Sequence, residues 1–174
     1  MPNELIEKSS NSELIMELIG TLNKEASLFE TFLELLEKQQ KALVENDVSS
    51  LNYVTERQRE KIIEGGILAR KREEVIGKLA LEHSMTGDLT IGKLIESVAS
   101  GQATVLEQIR GTILDLNEKI GKVRSQNEML INRSRENIMK TMELLGRFKI
   151  SSNNYQKKGK IEKIQTNILL DRRA

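Results

Sequence analysis

The chain has 174 residues, with 27 Lys and Arg against 26 Asp and Glu, a formal charge of +1, no cysteine, one proline and 3% aromatic residues. That length suits one domain rather than two, and the balanced charge argues against a generic nucleic-acid binder, whose affinity rests on phosphate neutralisation. The lack of cysteine excludes disulfide frameworks and thiolate metal sites and fits a reducing compartment.

No apolar run approaches the ~20 residues of a membrane span. The N-terminal "MPNELIEKSSNSELIME" carries acids where a secretory signal needs bases. The expectation is a soluble, cytoplasmic protein.

The first helix is expected to start near Ser10, whose spacing to Glu13 is that of a capping box. Leu18, Leu22, Phe29, Phe32, Leu36 and Leu43 then follow a four-three heptad track, with Glu25 and Gln39 in its two remaining slots. Leu14, Ile15, Ile19, Leu28, Leu33 and Leu35 widen the stripe beyond a two-stranded seam. At "ENDVSS", Asn46 and Asp47 can end this helix and cap the next.

A second helix is read from about Val48 to Glu82, on a weaker pattern of Leu51, Val54, Ile62, Ile63, Leu68, Val75, Ile76 and Leu79, with Thr55 and Gln58 in the track. Gly65-Gly66 costs roughly 1 kcal/mol per glycine relative to alanine, which predicts a bend or local fraying. "HSMTGDLT" reads as a loop, after which Asp88 or Thr90 starts a short helix through Val98. "SGQ" at residues 100–102 separates it from the last element.

That last element carries the clearest pattern. Leu106, Ile109, Ile113, Leu116, Ile120, Val123, Asn127 and Leu130 alternate three and four, and the track then slips by one residue to Ile131, Ile138, Met142 and Leu145. A helix from Gln102 to Gly146 would be about 65 Å long at 1.5 Å per residue. The fold class expected is all-α: an elongated antiparallel helical bundle with coiled-coil packing, three long helices, one short helix and a flexible C-terminal tail. Residues 1–10 read as a flexible N-terminus, 11–148 as the bundle and 149–174 as a basic, partly disordered, partner-binding tail.

From 151 to 174 six Lys or Arg face Glu162 and Asp171, a net +4, so the preceding body carries −3. Ile161, Ile164 and Ile168, with Leu169 and Leu170, form an amphipathic segment below the ~12–15 residues at which an isolated helix holds in water. It could fold on a partner or back on the body.

The inventory for catalysis is poor. His83 is the one histidine, placed at a helix end where a cation meets the dipole favourably. Glu73-Glu74 beside Lys71-Arg72 reads as a solvated face, and "EGGIL" lacks the Walker pattern of a phosphate loop. Met129, Met139 and Met142 read as core filler rather than an adaptable binding face. No nucleophile, base and orienter come together. The expectation is no enzyme, no metal and no cofactor.

"QNEMLINRSRENIMKTMELL", followed after a short gap by "YQKKG", resembles the C-terminal half of the FlgN family of flagellar export chaperones. Asn127, Leu130-Ile131, Ser134, Tyr155 and Gly159 carry the likeness. The break "ALVENDVSSL", Arg72 followed by Val75-Ile76, and "LTIGKLI" extend it over nearly the whole chain. The chain departs from the family pattern at Gly65-Gly66 and at Arg135, where an apolar residue is usual.

The resemblance implies a cytoplasmic chaperone of type III export. Such a protein holds C-terminal helical segments of the hook–filament junction proteins, FlgK and FlgL, prevents their early assembly and delivers them to the membrane export gate. The physical mode would be helix-in-groove. Substrate contact is expected at Asn127, Leu130, Ile131, Ser134, Ile138, Met142, Leu145 and Phe148. Asn127 has an alternative reading as a buried polar residue that fixes helix register, and the slipped track an alternative reading as core. The resemblance further suggests Tyr155, with Gly159, Lys157 and Lys158, as the export-gate docking element, the tyrosine acting as an amphipathic anchor.

Two other readings stand beside this one. Long heptads equally suit a structural coiled coil or a homo-oligomeric scaffold of an export apparatus, and they leave a homodimer open. Binding of the basic tail to nucleic acid or an anionic membrane would collapse with salt.

Overall fold

The computed structural model describes the backbone of residues 2–82 and 89–153 and the side chains of residues 11–82 and 89–147. Its described residues form four helices: α1 (Pro2–Glu45), α2 (Val48–Glu82), α3 (Ile91–Ser97) and α4 (Ser100–Asn153). The chain divides into two units, Met1–Arg133 and Ser134–Ala174, and α4 begins in the first and ends in the second.

In the first unit, bonds between helices fix their directions. Glu25 of α1 meets Arg72 of α2, and Gln39 meets Gln58, so α1 and α2 are antiparallel. Gln102 of α4 donates to Ser12, and Gln40 of α1 donates to Gln126, so α4 runs parallel to α1. The result is the expected up-down-up bundle. Its main core joins Ile15, Leu18 and Leu22 of α1, Val75 and Leu79 of α2, Leu94 of α3, and Leu106 and Ile109 of α4, with Leu89 from the segment before α3. α3 closes this end of the bundle; Thr90 caps it, accepting from the Lys93 amide.

The α1–α2 turn uses the residues that the sequence offers. Asn46 takes a left-handed conformation, φ 55°, which asparagine tolerates better than most non-glycine residues. The Asp47 amide then bonds back to the Ala42 carbonyl at 2.9 Å, the outer bond of a Schellman motif. Asp47 also caps α2: its carboxylate accepts from the Ser50 amide at 3.0 Å and from the Ser50 hydroxyl at 2.6 Å. These bonds hold its pKa below the usual carboxylate value.

Three expectations need correction. α1 begins at Pro2, ahead of the Ser10–Glu13 box, because proline is tolerated in a helix's first turn and no breaker follows it. α2 continues as helix through Gly65 and Gly66; a Cβ on Gly65 would stand 3.1 Å from Leu28 Cδ2, so the missing side chain allows close approach of α2 to α1. Ile62 and Ile63 are not in the core, with 62% and 67% of their surface exposed. The inward line of α2 instead runs Leu51, Val54, Gln58, Lys61, Gly65, Leu68, Arg72, Val75 and Leu79, all buried or half-buried. It keeps the four-three alternation throughout, but four of its slots hold polar or side-chain-free residues.

Candidate partner-binding face of α4

Several core slots are polar, and those that lie between helices find polar partners on another helix. Glu25 is buried, its side chain only 4% exposed, and receives the Arg72 guanidinium at 3.0 Å; Arg72 itself is 32% exposed. Arg72 is therefore part of the interior and not of the solvated face assigned to it. Burial pushes the Glu25 carboxyl above its ordinary pKa, and the nearby Arg72 offsets this only in part. Lys61 is the exception, paired with Glu64 on its own helix at 2.7 Å.

Toward the other end of the first unit, three amides form a chain across α2, α1 and α4. Gln39 Nε2 donates to Gln58 Oε1 at 3.3 Å, and Asn127 Nδ2 donates to Gln39 Oε1 at 3.0 Å and to the Leu36 carbonyl at 2.8 Å. Asn127 is 2% exposed. Its side chain thus faces α1 and is bonded within the bundle. Such a polar layer penalises any sliding of α4, since a shifted helix would bury these amides unpaired.

Leu130 is half-buried and lines a surface groove of about 510 Å³ with Val44, Gln40, Gln126, Met129 and Arg133. Ile131, one residue on, is already 45% exposed. One residue along a helix is about 100° around its axis, which carries Ile131 off the line of Leu130.

In the second unit α4 is exposed at every described side chain, from Ser134 to Arg147. Ile138, Met142 and Leu145 are 56%, 68% and 63% exposed, and their four-three spacing places them in one line along the helix. Met139 and Leu144 flank that line and are also exposed. The core readings of this track, and of Met129, Met139 and Met142, do not fit the described residues, in which these side chains are exposed. The opposite side carries Glu136, Lys140, Glu143 and Arg147, the last two paired at 2.6 Å. A helix with one apolar line and one charged side has the makings of half a coiled-coil seam.

Phe148 lies in α4, but its side chain falls outside the described residues. Tyr155, Lys157, Lys158 and Gly159, the proposed docking element, lie outside them altogether, as do His83, Ile161, Ile164 and Ile168. Among the described residues no cluster of His, Cys, Asp or Glu could hold a metal ion, and no helix is long and apolar enough to cross a membrane.

A three-helix bundle keyed by buried polar contacts, continued in sequence by an amphipathic stretch of α4 that is exposed among the described residues, defines an all-helical protein. The family model described as FlgN protein matches residues 14–163, and the chain belongs to that family. It is thereby a flagellar export chaperone, of a chaperone family rather than an enzyme family. No curated protein and no solved structure matches the chain.

Proposed function

We propose that this chaperone acts in the cytoplasm and holds the C-terminal helical segments of FlgK- and FlgL-type hook–filament junction proteins along the exposed line of α4. The carrying observation is that Ile138, Met142 and Leu145 stand in heptad spacing and are more than half exposed among the described residues. Fully burying such a side chain contributes ~1.5–3 kcal/mol. The line is thus favourable to cover, yet too short to hold a partner irreversibly. A substrate segment ordered only on binding loses part of that gain to entropy, which suits a cargo that must be released.

In this reading Leu130, Ile131 and Ser134, earlier in the sequence of α4, are further substrate contacts. In the same reading Tyr155 and Gly159, with Lys157 and Lys158, dock the loaded chaperone on the export gate's cytoplasmic domain.

Calorimetric titration with C-terminal segments of FlgK- and FlgL-type proteins from the same cell tests this. The expected result is saturable binding with a negative heat-capacity change, little affected by salt and unchanged by Tyr155→Ala. Binding to the gate domain should be lost in that variant. No binding of either segment at any salt would sink the proposal and leave a structural coiled coil.

A further inference from the structure

In the α4 sequence Ile131 and Ile138 are spaced seven apart, and the four-three alternation assigns the slot between them to Arg135, four residues after Ile131 and three before Ile138. An arginine stands where the seam asks for an apolar side chain. It is exposed, and among the described residues it makes no hydrogen bond or ion pair, whereas Arg147 on the charged side is paired with Glu143.

The first unit shows how this molecule treats such slots. Arg72, in a core slot of α2, is met by the carboxylate of Glu25 in a core slot of α1. Asn127, in a core slot of α4, is met by Gln39 in a core slot of α1. Arg135 is a slot of the same kind whose counterpart the described chain does not supply.

Resting on the proposed binding of substrate helices to this line, we propose that Arg135 is a specificity residue that selects a partner helix carrying an Asp or Glu in its own apolar face. Covering Ile138 and Met142 necessarily covers the stem of Arg135, three and seven residues away on the same side of the helix. The guanidinium then loses water. It cannot shed its charge, so a partner with only apolar residues there leaves a cation desolvated and unpaired. A carboxylate at the facing slot satisfies it by the fork geometry that arginine offers. Discrimination arises chiefly from the penalty against helices that lack the acid, and only secondarily from added attraction.

The test uses full-length chaperone, wild type, Arg135→Leu and Arg135→Glu, titrated with the C-terminal segment of a FlgK- or FlgL-type protein and with versions in which each carboxylate is changed to Lys in turn. Arg135 is exposed, so the variants should keep the wild-type circular dichroism spectrum and melting temperature. The expected result is at least tenfold weaker binding by Arg135→Glu, restored by Lys at one acidic position of the segment and at no other. Arg135→Leu, which leaves the partner's carboxylate covered without a cation, should bind the native segment more weakly than wild type and lose the discrimination against that Lys version. Binding by Arg135→Glu within twofold of wild type, or weakening that no Lys version restores, overturns the inference while leaving the substrate site standing. Absence of binding by the wild type overturns both.

Discussion

Glu25 and Arg72 occupy facing core slots on α1 and α2, and their two substitutions should act in opposite directions. Arg72→Ala leaves a buried carboxylate without its cation and should cost about 1.5–3 kcal/mol in chemical denaturation at pH 7. Glu25→Gln should instead raise stability at pH 7. Burial raises the folded-state pKa of Glu25, so its favourable contribution is present below the unfolded value and is lost as pH rises through the folded value. The gain of Glu25→Gln over wild type should accordingly shrink as pH falls toward 4, where the native carboxyl is itself protonated. A gap that widens on acidification would contradict this assignment. Asn127→Ala removes two bonds that tie α4 to α1 and should cost about 2 kcal/mol; a cost near zero would mean that the polar layer does not key the register.

At the scale of elements, α2 separates the two glycines that its sequence presents as a pair. Gly66 has open space where a Cβ would stand, and Gly65 has Leu28 at 3.1 Å. Gly66→Ala should therefore stabilise by up to ~1 kcal/mol through helix propensity. Gly65→Ala should gain less or nothing, because Leu28 has to move. Equal gains from both, measured by thermal melts, would show that the close approach of α2 to α1 is unimportant.

The same helix shows how far the sequence could be read. In α1 and in α4 up to Leu130 the seam is filled mostly with Leu, Ile and Val, and the heptad register was legible. The inward line of α2 passes through Gln58, Lys61, Gly65 and Arg72, so hydrophobicity alone points to Ile62 and Ile63 on its edge. The phase could have been recovered by carrying the four-three count from Val54–Gln58 on to Leu68, Val75 and Leu79. Exposure of the slipped track was less legible still. Periodicity marks a face as apolar without saying whether anything covers it, and the end of a partner helix must be known before the two cases separate. Spacing puts Asn127 in the seam, but its contact with Gln39 depends on a pairing of α1 with α4 that no local pattern encodes.

For the molecule as a whole, the proposed function gives one long helix two tasks: as far as Leu130 it completes the bundle, and from Ser134 it offers a seam to a partner. The apolar residues of that seam should contribute separately to substrate binding. Ile138→Ala, Met142→Ala and Leu145→Ala are each expected to weaken it about tenfold, equivalent to ~1.4 kcal/mol, with the melting temperature of the free protein nearly unchanged because these side chains are already exposed.

Amide hydrogen exchange along the full chain, with and without a saturating C-terminal segment of a FlgK- or FlgL-type protein, would locate the substrate. New protection is expected between residues 135 and 147, with little change around the exposed Ile62, Ile63 and Ile67 of α2. Protection centred on α2, or binding with no change between 135 and 147, would contradict the proposed function.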